Sequence, residues 1–391
     1  QGVPGRLHTL TIKAGATASG RRDHMEPLFF TPSHPLTIGV ELEFQLLDQT
    51  SLDLAPVAPK LLAKVPPDLR GEVKSEFIQS MVEVSTPVCQ DLREAEQELS
   101  ILCRTVESLA AELDCVIFAA SLHPFALVKE RHLSPGPRYG QLMHDLQLAG
   151  RRLITQALHV HIGLPDADSA LKVCNGIRAH LPTLLALTTS SPFLEGEDTG
   201  FHSYRTNLFK ALPRSGIPET LHSWFHFQEL IALLNEATLL EGIKELWWDV
   251  RPHPDFGTVE VRICDLPSRL DEILGITALI QALVAELAQK EPTISPYREI
   301  MLNNKWHASR YGLEGTWIAP RQGQHTSFAR AAADLLEGMH PMALQLGSAP
   351  YLAPLHRILE TGTSSHRQRS LYAASGDLHE VISSLRQDFW K

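Results

Sequence analysis

The side chains best suited to chemistry in this sequence are carboxylates, imidazoles and guanidinia spaced two residues apart. Glu41-Leu42-Glu43 sits in the string GVELEF, and on a strand residues i and i+2 project from one face. Two carboxylates so placed repel one another unless a cation lies between them, and hard oxygen ligands of this kind suit magnesium or manganese. Alone, the pair reads equally well as a solvated strand face. His159-Val160-His161 repeats the spacing with imidazoles; both can ligate a metal, or one can ligate while the other donates to a phosphate oxygen. Glu260-Val261-Arg262 sets a carboxylate beside a guanidinium, and Arg251 lies just upstream in WWDVRPHPDFG. Glu260 then offers a metal ligand while Arg262 or Arg251 offers bidentate donors to a phosphate or carboxylate. An ordinary half-buried histidine pair and an Arg-Glu surface ladder are the bland counterparts. Polar pairs on three separate strands make coincidence a poor account, so they are expected to meet in one metal and nucleotide site.

Glu83, in MVEVST, adds a lone carboxylate whose neighbours Val82 and Val84 point the other way. Glu76 is a further candidate, but its odd separation from Glu83 puts the two on opposite faces of an unbroken strand, so a bend or bulge is needed to bring both to the metals. Competing chemistries are poorly supplied. The sequence holds no GxSxG elbow, no GxxxxGK[ST] loop and no GxGxxG fingerprint, which removes the main support for serine hydrolase, P-loop and dinucleotide-fold readings. If ATP binds, carboxylate-held metal ions and arginines must take over the role of a glycine-rich loop.

The elements that must position these groups follow from apolar spacing. Strands are expected at Leu36 to Leu47, Met81 to Ser85, Cys115 to Ser121, Ala157 to Leu164 and Gly257 to Asp265. A helix capped by Asp91 carries Leu92, Leu99, Leu102, Val106, Leu109 and Leu113 on one face, and Asp166 or Asp168 caps another that runs to about Thr189. Further helices are expected around Leu142 to Ile154, His226 to Lys244, Arg269 to Lys290, Ser327 to Met339 and Leu378 to Phe389. His123 to Gly140 and Ser190 to Ser223 read as long loops with functional roles. Trp247 and Trp248 read as core. Strands scattered among helices of uneven length, without regular alternation, indicate an α+β fold with an antiparallel sheet, in one catalytic domain over residues 36–391.

The whole-chain balance is consistent with such an enzyme. The 391 residues are 43% hydrophobic, and 45 acidic against 35 basic side chains give a formal charge of -10. That balance argues against nucleic-acid or membrane-surface partners and for small molecules. Cys89, Cys103, Cys115, Cys174 and Cys264 form no paired motif and fit a reducing cytoplasm. Ile273 to Ala288 is broken by Gln281 and Glu286, so it reads as a buried helix and not a membrane span. Residues 1–35 read as a flexible tail, with the part before Met25 an upstream extension or a cloning remnant. Size and apolar helices suggest a homodimer.

In order along the chain, GVELEF, SMVEVSTPV, LHPF, HVHIGLP, SPFLEGEDTGFHSYR, WWDVRPHPDFGTVEVRICD and NKWHASRYGLEG together resemble the type 2 glutamate-cysteine ligase family, closest to its YbdK-like bacterial carboxylate-amine ligases. The resemblance implies a glutamine synthetase-like fold in which an antiparallel sheet forms a funnel for ATP and two or three magnesium ions. It implies Glu41, His159 and Glu260 as ligands of one metal, and Glu43, Glu83 and Glu76 as ligands of another. It further implies that His161 faces the nucleotide phosphates, with Arg262 and Arg251 at the transferred phosphoryl group and Glu260 in the catalytic set. Arg205, Arg138 and Tyr139 are expected to hold amino-acid carboxylates, joined by Asn304 and Arg310. The implied reaction is ATP-dependent amide formation between a carboxylate, such as the γ-carboxylate of glutamate, and an amine, such as that of cysteine, through an acyl phosphate. Another carboxylate-amine pair is the nearest rival, and a nucleotide-binding regulator without turnover is the rival of a different class.

Overall fold

Seven strands form one sheet, and each pairing in it is antiparallel. They are β1 (Ile38–Asp48), β2 (Val73–Ser75), β3 (Met81–Ser85), β4 (Cys115–Phe118), β5 (Leu158–Gly163), β6 (Val250–His253) and β7 (Thr258–Val261). The lateral order is β6-β7-β5-β1-β3-β2, and β4 pairs with the distal end of β1. The computed structural model describes residues 28–130, 132–240, 242–291 and 296–391. The α+β class and the antiparallel sheet match the sequence reading.

β1 is the spine because its alternation is strict over the part that matters. Val40, Leu42 and Phe44 are fully buried on one face, which leaves Glu41 and Glu43 on the other. The buried face meets helices, among them Leu92–Ala111 and Leu270–Gln289. The second of these is buried on every side from Glu272 to Ala285, with Ile276, Ala278, Leu279 and Ile280 fully buried, and each Leu or Ile so placed contributes about 1.5–3 kcal/mol over an exposed one. It is the buried helix expected around Ile273. Among the described residues no helix is long and apolar enough to cross a membrane.

The caps fall where the side chains allow. Asp91 accepts from the Glu94 amide at 2.8 Å and Asp166 from the Ser169 amide at 2.7 Å, so each ties down an amide that the first turn leaves unpaired. The helix expected to continue to Thr189 is two helices, Ala167–Ile177 and Leu181–Thr188. Pro182 has no amide hydrogen to donate and sits in the first turn of the second, where none is needed. Pro137 in the same way starts the helix Pro137–Arg151 earlier than expected. The helix expected to reach Lys244 ends at Glu236, and Arg298–Tyr311, Ala353–Thr361 and Ser364–Ser375 are further helices beyond those expected from the sequence.

Residues 1–27 lie outside the described residues. The remainder of the expected tail is not free: Trp224 Nε1 and Gln228 Nε2 each donate to the Leu28 carbonyl at 3.0 Å, and the Thr31 amide donates to the Pro254 carbonyl at 2.9 Å. Phe30 packs edge-on to Trp224. Leu28–Pro35 is thus a docked strap, built on an apolar pattern too short to show periodicity. All five cysteines are buried and unbridged.

Candidate functional site

Strand register joins the separate polar pairs into one row. β1 pairs Glu43 with Glu83 and Glu41 with His159; β5 pairs His161 with Glu260; β6 pairs Arg251 with Glu260; β2 pairs Lys74 with Glu83. Directly opposed residues on antiparallel strands hold their Cβ atoms about 5 Å apart, so every i, i+2 pair meets its neighbour across the sheet. The row lines a cavity of about 340 Å3, together with Glu76, Tyr139, His253 and Trp247. Glu76 reaches it because β2 ends at Ser75 and the chain turns before β3 begins at Met81, so parity along a single strand does not apply.

Two groups in the cavity bring three ligand atoms within 4.8 Å of one another: Glu41, His161 and Glu260, and Glu43, Glu76 and Glu83. In the first, His161 Nε2 lies 3.7 Å from Glu41 and 3.9 Å from Glu260, and it is buried without a hydrogen-bond partner. The implied ligand was His159, which instead touches the other oxygen of Glu41 at 3.2 Å through Nδ1. Register explains the difference, since Glu260 opposes His161 and not His159. Two carboxylates and an unpartnered imidazole nitrogen converging in this way suit a divalent cation, and three convergent carboxylates suit a hard one.

The two groups differ in charge. Burial alone would raise Glu41, but the hydrogen bond from His159 and the close approach of His161 outweigh it and hold the carboxyl well below the usual range. Burial likewise opposes the charge on Glu260, and Arg251 and Arg262 overcome it. The second group has Lys74 3.4 Å from Glu83, and the charges of Arg205 and Arg262 reach Glu43 more weakly than its burial and Glu83 do. There burial and then the Glu83 charge push Glu43 up to about 8, and burial with the charges of Glu43 and Glu83 raises Glu76 well above its ordinary value. Burial, and after it Glu41, also raises Glu83. One group is a ready-made anionic ligand set; the other ionises fully only against an added cation. Burial and Arg262 hold His159 down at about 4, so its ring is neutral at pH 7.

The two arginines divide their roles. Arg251 donates from Nε to Glu260 at 2.6 Å and from Nη1 to the carbonyls of Ile243 at 3.0 Å and Leu246 at 2.8 Å. Its donors are thus engaged in holding Glu260 and a turn, not aimed at a phosphoryl group. Arg262 also bonds Glu260, but its side chain keeps 14% exposure in the cavity.

Three of the expected substrate residues sit elsewhere. Arg205 is buried and donates to the carbonyls of Arg262 and Ile263, both at 3.1 Å, beside Asp265 at 3.7 Å. Asn304 forms two bonds to the Ile318 backbone, at 2.7 and 2.9 Å. Arg310 donates to the Gly200 carbonyl and lies over the Tyr311 ring. Each binds backbone, which a sequence cannot distinguish from binding a substrate carboxylate. Tyr139 does line the cavity and donates to the Ser75 carbonyl at 3.4 Å, while the side chain of Arg138 lies outside the described residues.

The cavity also holds residues that the sequence reading passed over. Trp247 is half-buried on its wall, not core, and Lys244 and Phe209 stand nearby on the same wall. Lys74 becomes visible only once the β2–β3 hairpin is known. His253 follows Arg251 by two on β6 and so shares its face, whereas Phe256 sits in the β6–β7 turn, where parity says nothing.

A third convergence, His202, Glu314 and His366, lies outside the cavity. His366 Nδ1 accepts the Thr363 amide at 3.1 Å and so caps a helix, which leaves its proton on Nε2, 3.1 Å from Glu314. A metal at Nε2 would require that proton on Nδ1, where an N–H already points. This group is a helix cap whose imidazole also donates to Glu314.

Comparison with known proteins places the chain among ligases. The sequence profile of glutamate-cysteine ligase family 2 matches residues 37–384. A relative from Herpetosiphon aurantiacus, provisionally named glutamate-cysteine ligase 2, is 38% identical over 358 residues, spanning 90% of this chain and 93% of its own. A relative from Sorangium cellulosum with the same provisional name is 39% identical over 355 residues, 89% and 95% of the two chains. Among solved structures, the glutamate-cysteine ligase of Francisella tularensis in complex with AMP superposes with a TM-score of 0.66 at 12% identity, covering 92% of this chain and 90% of that one. A bifunctional glutathione synthetase from Pasteurella multocida gives 0.68 at 17% identity, over 91% and 52%. At those identities the structures establish a shared fold.

Proposed function

We propose an ATP- and magnesium-dependent ligation of a carboxylate to an amine for this chain, which belongs to glutamate-cysteine ligase family 2. The observation that carries the reading is the single row in which two three-ligand groups flank one another, with Arg262 beside them in the same cavity. The family and its provisional names favour glutamate as the carboxylate substrate and cysteine as the amine.

In this reading a substrate γ-carboxylate oxygen attacks the γ-phosphorus of ATP, the bond to the β-γ bridging oxygen breaks, and ADP leaves behind an acyl phosphate. The amine of the second substrate then attacks the acyl carbon and loses a proton as phosphate departs, which leaves an amide. Magnesium held by Glu41, His161 and Glu260, and by Glu43, Glu76 and Glu83, would neutralise phosphate charge. Arg262 places a guanidinium where charge accumulates on the transferred group, and a preorganised donor of this kind is worth about 3 kcal/mol of barrier. Arg251 keeps the Glu260 carboxylate ionised and oriented. The apolar wall of Phe209, Leu212, Leu142 and Trp247 limits water near the acyl phosphate. An ATP-consuming enzyme with five unbridged cysteines belongs in a reducing, nucleotide-rich compartment such as the cytoplasm.

The test is ADP release with magnesium and ATP across a panel of amino acids and amines, with mass spectrometry of the product. Substrate-dependent ADP and an amide product are expected, and Glu260→Ala should abolish both. ATP binding without ADP release for any pair would replace the ligase with a nucleotide-binding regulator.

A further inference from the structure

Phe256 is a large apolar side chain that stays 51% exposed although it lines the cavity. Its ring is stacked on His253, with centroids 4.1 Å apart and planes 6° from parallel. His253 thus covers one face of Phe256 and leaves the opposite face accessible. His253 itself is 2% exposed, lines the same cavity, and carries a buried Nδ1 with no hydrogen-bond partner. The stack is rigidly placed, because His253 opposes Thr258 across β6 and β7, and Thr258 Oγ1 lies 3.0 Å from His161 Nδ1. The His161 ring makes edge contacts with both His253 and Phe256 at 5.7 Å.

This arrangement puts a flat aromatic face and an unpartnered ring nitrogen beside the Glu41–His161–Glu260 group, at the opposite end of the row from Glu43, Glu76 and Glu83. A ligand that needs both ends has phosphates to place against the first group and a planar heteroaromatic system to stack. Amino-acid substrates have no such plane in common. A nucleobase has two π-faces for stacking and ring or exocyclic nitrogens for a polar partner.

We propose that Phe256, backed by His253, is the shelf on which the base of the nucleotide stacks. The proposal rests on the ATP-dependent reading above. It assigns the triphosphate to run from the shelf past His161 towards Arg262, which leaves the Glu43–Glu76–Glu83 end and Tyr139 for the amino-acid substrates.

Calorimetric titration of the full chain with magnesium-ATP and, separately, with magnesium tripolyphosphate tests it. Phe256→Ala should weaken ATP binding on the order of tenfold, the loss expected for one stacked base, and leave tripolyphosphate binding and the melting temperature unchanged. Phe256→Trp should keep ATP affinity, and its fluorescence relative to the native chain should respond to ATP and not to tripolyphosphate. If native protein binds magnesium-ATP and Phe256→Ala binds it as tightly, the shelf is overturned while the ligase reading stands. Equal losses for ATP and tripolyphosphate also overturn it. Failure of the native chain to bind magnesium-ATP removes both the shelf and the reading it rests on.

Discussion

Glu43 lies directly opposite Glu83 across the β1–β3 pairing, and Glu76 closes the third side of the same group. Burial, and after it the facing charge of Glu83, pushes the Glu43 carboxyl up to about 8 from the usual 4.5, since like charges facing each other in a sheet are destabilising. A carboxyl whose folded-state value is raised binds more protons folded than unfolded. Its stabilising contribution is therefore complete below about pH 4.5 and lost as pH rises through about 8. Without divalent cations this group should lower the melting temperature progressively between those limits. Magnesium should restore it, and by more at pH 8 than at pH 6. Glu43→Gln should raise the cation-free melting temperature at pH 8 and blunt the response to magnesium, as read by differential scanning fluorimetry. A magnesium response independent of pH and of Glu43 would contradict the assignment.

The unequal surroundings of Arg251 and Arg262 predict unequal consequences of losing them. Arg262→Ala removes a guanidinium that faces the cavity, so kcat should fall on the order of 10²–10³-fold. Arg251→Ala leaves two turn carbonyls without their donor and the buried Glu260 with Arg262 as its remaining guanidinium, a defect that costs about 1–3 kcal/mol for each buried group left unsatisfied. Stability should report it first, as a lower denaturation midpoint. Parallel urea titrations and initial-rate measurements separate the two, and matching stability losses would erase the distinction.

Arg205 gives a sharper contrast, since sequence alone suggests a substrate carboxylate and the structure shows two backbone carbonyls. Arg205→Ala should destabilise the fold by about 2–4 kcal/mol, because Asp265 stays buried and the carbonyls of Arg262 and Ile263 lose their donor. The KM for the amino-acid substrates should stay near the native value in the folded fraction. A large KM increase at native stability would return Arg205 to the substrate site.

What was legible in the sequence follows the reach of the parity rule. Glu41, Glu43, His159, His161, Glu260 and Arg262 were found because strand alternation fixes their face from two residues of context. The hairpin that turns Glu76 and Lys74 towards Glu83 was not, because its turn breaks alternation at the point of interest. That Arg205, Asn304 and Arg310 bind backbone was not legible, because backbone partners leave no mark in a residue string. The docking of Leu28–Pro35 was missed because three consecutive apolar residues, Leu28 to Phe30, make no period, and the segment's partners, Trp224 and Pro254, lie far along the chain.

That strap supplies a test of its own. Gly257 has φ +64°, and a Cβ placed there would lie 2.0 Å from the Thr31 carbonyl and 2.7 Å from the Ser33 amide. An L-residue in this backbone region costs about 1–2 kcal/mol before any contact, and the strap backbone at such distances has to move. Gly257→Ala should therefore lower the melting temperature and lift Leu28–Pro35 from its seat, which takes the Leu28 carbonyl away from the Trp224 indole. Limited proteolysis should then cut within the strap, and tryptophan emission should shift to longer wavelength as Trp224 meets water. Because Gly257 adjoins Phe256, ATP affinity should fall in the same variant while tripolyphosphate binding holds. An unchanged digestion pattern together with an unchanged melting temperature would show that the strap is not pinned at Gly257.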